Sequence, residues 1–174
     1  MRKPRSPASP FSLQAATVGD AKELAALHTA VAERLTESYG RGPWSTKTSE
    51  KGALLAMRTS RVFVVRQSGE IVATLRLTTK KPWSIDTSYF AETERPLYLL
   101  AMAVAPARQR RGLGRKCLSA VKKIARGWPA DAIRLDAYDA PAGAGNFYAR
   151  CGYEEVGRAS YRKTPLVYYE LRLG

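Results

Sequence analysis

Histidine, cysteine and acidic side chains are all scarce in this chain of 174 residues. The only histidine, His28, lies on the Leu24–Val31 side of a helical pattern, the place of a partly buried structural imidazole rather than a free base. No Cys/His/Asp cluster has ligand spacing, so no metal is expected. Cys117 and Cys151 both fall in apolar helical patterns. They read as small core residues in a reducing compartment, not as a disulfide or a nucleophile. No apolar run approaches the length of a membrane span. The first ten residues set Arg2, Lys3 and Arg5 among prolines and serines without an apolar stretch, which argues against a secretory signal. Residues 1–12 are expected to form a flexible basic tail and residues 13–174 a single domain. The protein is expected to be cytoplasmic, with no membrane partner.

The shortage of acid is the sharper fact. Lys plus Arg number 29 and Asp plus Glu 15, a net charge of +14. Such an excess invites a nucleic-acid reading. Its distribution points elsewhere. Arg108, Arg110, Arg111, Arg115, Lys116, Lys122, Lys123 and Arg126 follow one another with no acid between them. They surround Gln109-Arg-Arg-Gly112-Leu-Gly114-Arg-Lys, which an apolar run (Leu97 to Val104) enters and a helical pattern (Cys117, Leu118, Val121, Ile124) leaves. Strand, basic glycine turn and helix in that order aim backbone N–H groups and a helix dipole at one point. Glycines 112 and 114 let a phosphate approach the backbone. The segment reads as the seat of a pyrophosphate. It lacks the third glycine of the dinucleotide fingerprint and the Gly-Lys-Ser/Thr of a P-loop.

Around this turn, the spacing predicts a helix over 20–39 with Asp20 as its N-cap, a loop carrying Trp44, and a short helix over 50–57. A hairpin is predicted from 62–66 and 71–77, with an irregular stretch over 80–94. Strands are predicted over 97–104 and 133–138, helices over 115–126 and 144–151, and final strands around Val156 and over 167–173. A strand-helix-strand unit between a hairpin and later strands gives an α/β mixed sheet.

Gln109-x-x-Gly112-x-Gly114 and, downstream, Tyr148-Ala-Arg-Cys-Gly152-Tyr153 resemble two motifs of the GNAT superfamily of acyl-CoA-dependent N-acetyltransferases. The resemblance implies a mostly antiparallel central sheet with one splayed parallel strand pair, flanked by helices. It implies acetyl-CoA as acyl donor, with the pantetheine arm in the splay. Met102, Ala103 and Val104 would serve the pantetheine and the thioester carbonyl. Gln109, Arg110, Arg111, Gly112, Leu113, Gly114 and Arg115 would hold the pyrophosphate. Two family features differ here. The usual Asn after the second central strand aligns with Pro141, and the 97–104 strand has no glutamate.

Acetyl transfer to an amine needs a neutral amine, an oxyanion donor and a proton for the leaving thiolate. Tyr148 is the candidate acid, because a phenol with a pKa of ~10 keeps its proton at neutral pH. Glu92, Glu94, Asp86 and Asp139 are candidate bases. Tyr39, Trp44, Trp83, Asp86 and Tyr89 are candidates for an acceptor pocket, where aromatics with carboxylates would suit a cationic amine, small-molecule or peptide. The leading expectation is an acetyl-CoA-dependent N-acetyltransferase acting by direct attack in a ternary complex. A non-catalytic acyl-CoA-binding module and a basic nucleic-acid-binding protein are the alternatives. Acceptor identity, acyl chain, base and oligomeric state stay open, although relatives of the fold are often homodimers.

Overall fold

The computed structural model describes residues 10–174. Seven strands form one sheet in the order β1-β2-β3-β4-β5-β7-β6. They are β1 Gln14–Ala15, β2 Arg61–Gln67, β3 Glu70–Thr78, β4 Pro96–Val104, β5 Ala132–Tyr138, β6 Glu154–Tyr161 and β7 Thr164–Arg172. Every neighbouring pair is antiparallel except β4–β5, which is parallel. The helices are α1 Ala21–Tyr39, α2 Glu50–Thr59, α3 Leu113–Gly127 and α4 Gly145–Arg150.

The alternation of the strands decides which helix packs where. Phe63, Val65, Leu75, Leu77, Leu97, Leu99, Ile133 and Leu135 bury one face against α3 and α4, with Leu113, Cys117, Leu118, Val121 and Ala125 as the apolar stripe of α3. The opposite face, through Val62, Val64 and Ile71, packs on Leu24, Leu27 and Ala53 of α1 and α2. β4 is apolar on both sides because it lies in the middle of the sheet, between the two layers.

Three expectations change. The expected tail, residues 1–12, includes Phe11, which packs against the main core; residues 1–9 of it lie outside the described residues. Asp20 holds the N-cap position of α1, but its side chain does not cap the helix. Its carboxylate accepts the Thr17 N–H at 2.8 Å and pairs with Arg66, so it ties the preceding 3-10 turn to β2 instead. Burial pushes the Asp20 carboxyl up, but Thr17 and Arg66 outweigh it and hold the group below the ordinary value. α3 begins at Leu113, two residues before the predicted start, because Gly112 adopts a left-handed conformation (φ 79°) and serves as its N-cap.

One buried ion pair locks the irregular stretch onto the sheet. Arg134 of β5 donates to Glu170 of β7 at 2.7 Å, both side chains are 5% exposed, and Arg134 also donates to the Ala91 carbonyl and lies 4.7 Å from the Phe90 ring centroid. Removing one partner strands a charge in low dielectric. Glu170→Ala is therefore expected to lower unfolding stability by about 3–5 kcal/mol, read from urea denaturation. An apolar double replacement of Arg134 and Glu170 should recover most of that loss.

Candidate active site

The parallel pair sets up the site by failing to continue. β4 and β5 pair only at Pro96–Ala132, Leu97–Ile133 and Tyr98–Arg134. Beyond that point the strands part, while β4 runs on to Val104 and β5 to Tyr138. Within the parting, β4 carries a bulge. Leu100 and Ala103 face Arg76 and Thr74, so Ala101 and Met102 stand opposite a single β3 residue, and Ala101 takes φ 47°. Such bulges re-aim a strand and interrupt its ladder. The β4 edge beyond Tyr98 therefore presents main-chain groups to the gap instead of to β5.

A cavity of about 450 Å³ fills the gap. Ala101 and Met102 of β4, Asp136, Ala137 and Tyr138 of β5, and Tyr148 of α4 line it. Residues from both faces of the sheet line the cavity. Tyr148 belongs to the core on the α3/α4 face. Asp136, which follows the buried Leu135 by one residue, rises from the other face beside Leu35, Pro43 and Ser84.

Tyr148 packs against Tyr153 and Tyr169 with ring centroids 5.9 and 6.2 Å away. It is 8% exposed, and among the described residues no group hydrogen-bonds its hydroxyl. Burial, then the neighbouring Asp136, raise its pKa well above the ordinary phenol value. Burial also raises the Asp136 carboxyl, offset in part by the Ser84 side chain. The Asp136 charge disfavours the phenolate, so the phenol stays protonated while the carboxyl titrates.

The predicted phosphate seat lies beside the gap at the start of α3. Arg110 (φ 59°) and Gly112 (φ 79°) are both left-handed, and such turns point successive N–H groups into one concavity. No side chain caps the first turn of α3. Gln109 braces the loop by donating to the Val104 carbonyl at 3.0 Å. Leu113 is buried, so it offers only its backbone. A Cβ on Gly114 would stand 3.0 Å from Phe147, whereas one on Gly112 would enter open space. Arg111 faces away from the gap into a second cavity with Arg108, Lys116 and Phe11. None of the eight cations from Arg108 to Arg126 has an acidic partner within 4.0 Å among the described residues. Met102 and Val104 are half-buried and Ala103 is buried; Arg115 is exposed.

The predicted acceptor residues do not gather in the cavity. Trp83 is 84% exposed and Tyr39 48%. Asp86 binds Ser88 and caps a turn. Tyr89 packs edge to face against Tyr168, with ring centroids 5.4 Å apart. Trp44 supports the lining from behind, edge to face with Tyr138 at 5.9 Å, while its indole N–H donates to the Gly40 carbonyl. Among the base candidates, Asp139 is paired with Arg158 at 2.9 Å, and Glu92 and Glu94 are exposed. Asp136 went unnoticed in the sequence, although its signal was there. It is a lone carboxylate within the strand Ile133-Arg-Leu-Asp136-Ala-Tyr138, on the face opposite Ile133 and Leu135. The two cysteines are free. Burial pushes the Cys117 thiol up to about 11, which leaves it inert.

The acetyltransferase (GNAT) family model matches residues 28–153. No curated protein matches the sequence. Among solved structures, a GNAT-family acetyltransferase from Listeria monocytogenes is 20% identical, with a TM-score of 0.70, covering 92% of this chain and 95% of its own. A ribosomal-protein-alanine N-acetyltransferase from Brucella melitensis is 16% identical, with a TM-score of 0.69 and coverage of 93% and 99%. The protein yncA from Salmonella typhimurium, solved with its cofactor acetyl-CoA, is 15% identical, with a TM-score of 0.68 and coverage of 94% of each chain.

Proposed function

The chain belongs to the GNAT family of acetyltransferases, and on that premise we propose that it transfers the acetyl group of acetyl-CoA to a primary amine by direct attack in a ternary complex. The observation that carries this reading is the two-faced gap between β4 and β5, with Tyr148 entering from one face and Asp136 from the other. A donor lying along the α3 loop reaches the gap from the α3/α4 face. An acceptor reaches it from the α1 face, so the two substrates meet without sharing an entrance. The capless, acid-free start of α3 suits the pyrophosphate of coenzyme A, with Gly112 and Gly114 letting it close on the backbone.

The proton balance follows from the two titratable groups. The amine nitrogen attacks the thioester carbonyl, the C–N bond forms and the C–S bond breaks. A main-chain N–H near the β4 bulge stabilises the oxyanion. Asp136, with a carboxyl raised by burial, takes the proton that the nitrogen sheds. Tyr148, which keeps its proton because of burial and the adjacent Asp136, donates to the sulfur as negative charge gathers there. The net transfer is one proton from nitrogen to sulfur.

Two measurements test this. Calorimetric titration with acetyl-CoA should show saturable binding, and a screen of amines by thiol release should find turnover. Binding without turnover on any amine would favour a non-catalytic acyl-CoA module, which the Pro141 departure motivates. The pH profile reports on Asp136 directly. Its carboxylate form is lost as pH falls through a pKa above the ordinary aspartate value of ~3.9, so kcat/KM should drop on that acid limb. Asp136→Asn should remove the limb and lower the plateau by about 10²–10⁴-fold.

A further inference from the structure

A third cavity, about 360 Å³, lies between α1, α2 and the sheet. Leu24, His28, Lys47, Gly52, Arg76 and Ala101 are among the residues that line it. Ala101, at the β4 bulge, also borders the cavity that holds Asp136 and Tyr148. Among the described residues no acidic side chain lines this space.

Arg76 is the unusual member. It pairs in register with Val62, so it rises from the face that α1 and α2 cover. Its Nε is buried with no hydrogen-bond partner among the described residues, and no carboxylate lies within ion-pair distance of it. Burial pulls its pKa down. Arg76 is half-buried, and a guanidinium withdrawn from water is normally paired, because desolvation of an unpaired charge is costly. The other lining charges do not answer it. Lys47 is itself a cation and is tied to Glu33 at 2.6 Å. His28 is half-buried, and burial followed by the Arg76 charge holds its imidazole below the ordinary histidine value. The cavity thus presents one uncompensated positive charge.

The register relates this charge to the active site. Arg76 stands opposite Leu100 of β4. Tyr98 stands opposite Arg134 of β5, where the two strands run parallel. Two residues further along each strand, Leu100 and Asp136 come to the same level. Arg76 and Asp136 therefore rise level with each other from one face, with a single strand between them. At ~4.8 Å per strand step, their backbones are about 10 Å apart before the splay adds to it. One side chain is the acid-base group of the reaction proposed above, and the other is a fork built for a planar anion.

We propose that the Arg76 cavity seats a carboxylate carried by the amine acceptor, so that the acceptor is a small zwitterionic amine of the amino-acid class. The inference rests on the reading of the chain as an amine acetyltransferase. The single net charge of the cavity suits a monoanionic carboxylate better than a phosphate dianion. An acceptor held this way places its amine at Asp136 while its carboxylate lies under α1 and α2. Polyamines, which are cationic throughout, would set a positive charge against Arg76.

The test compares matched pairs. Wild type, Arg76→Gln and Arg76→Lys are assayed by thiol release from acetyl-CoA with a set of amino acids, their carboxamides and aminoalkyl phosphates. The expected result is a kcat/KM at least about tenfold higher for acids than for their amides, as one charge-assisted hydrogen bond supplies. Arg76→Gln should erase that ratio, and Arg76→Lys should restore part of it. Unchanged acetyl-CoA affinity and melting temperature would show that the variants are folded. A second readout needs no turnover. His28 is the only histidine, so its imidazole signal in NMR is unambiguous. A seated carboxylate neutralises Arg76 and should raise the His28 pKa in wild type, while the carboxamides leave it in place. Amides turned over as well as acids, or a ratio that survives in Arg76→Gln, would overturn the proposal. So would a preference for the phosphates. A His28 response to acids in a protein that acetylates no amine would keep the carboxylate seat and overturn the acetyltransferase reading. Neither turnover nor a His28 response would overturn both.

Discussion

Tyr148→Phe is expected to reduce kcat by about 10²–10⁴-fold while leaving acetyl-CoA affinity within a few-fold of wild type. The substitution removes one oxygen and keeps the ring. Tyr148 is buried among Phe147, Tyr153 and Tyr169, and that packing uses the ring alone. Its hydroxyl meets no protein acceptor among the described residues and borders the cavity, so no hydrogen bond of the fold is lost. What disappears, on the reaction proposed above, is the proton donor to the departing sulfur. The loss should therefore fall on kcat and not on the acetyl-CoA dissociation constant, because the interaction strengthens as charge develops on the leaving group. Steady-state kinetics and calorimetry on the same preparation separate the two quantities. An equal loss in both would mean that the hydroxyl positions the thioester and does not assist its cleavage. The burial that raises the Tyr148 pKa also predicts that wild type shows no loss of activity from phenol ionisation near pH 10.

Gly112→Glu should abolish measurable acetyl-CoA binding, a loss of more than about 100-fold. Two physical effects combine. At φ 79° a residue with a Cβ is strained, which costs about 1–2 kcal/mol. A carboxylate would also project into the open space above the start of α3, where phosphate oxygens would sit. Gly112→Ala separates the effects, since it carries the strain without the charge, and its loss should stay near tenfold, as 1.4 kcal/mol corresponds to a factor of ten. Wild-type affinity should weaken as salt rises, because Arg108, Arg110, Arg115 and Lys116 lie around this loop without acidic partners and act through a screened field. Undiminished binding by Gly112→Glu would place the phosphates elsewhere. In that case the second cavity, with Arg108, Arg111 and Lys116, would be the next place to examine.

Legibility in the sequence followed the range of the interactions. The helical stripes of α1 and α3, the hairpin of β2 and β3 and the apolar β4 appear as predicted to within a few residues, because each is encoded by periodicity in a short window. The hairpin of β6 and β7 was less visible. It turns at Arg162 and Lys163, which take φ 47° and 66°, positions where Asn and Gly are the usual signal. The N-terminal strand is two residues long and exists only through its pairing with Phe63 and Val64. Asp20 looked like a helix cap, yet a distant arginine on β2 claimed its carboxylate.

The glycine turn before α3 and the position of Tyr148 beside the gap were legible in the sequence because both depend on neighbours in the chain. A glycine at a left-handed turn, a helix start without a cap and a run of cations are all local, and local order survives in the one-dimensional string. The acceptor side could not be found that way. Arg76 and Asp136 rise at one level because strand register aligns β3, β4 and β5, while the β4 bulge sets Ala101 on the border of both cavities and α1 brings His28 to the Arg76 cavity. Strand register and splay are set by contacts between residues far apart in the chain, including the covering of each sheet face by different helices. The family and its fold were therefore written in local motifs and periodicity, whereas the placement of Asp136 level with the unpaired Arg76 required the assembled sheet, because register joins residues remote in the chain.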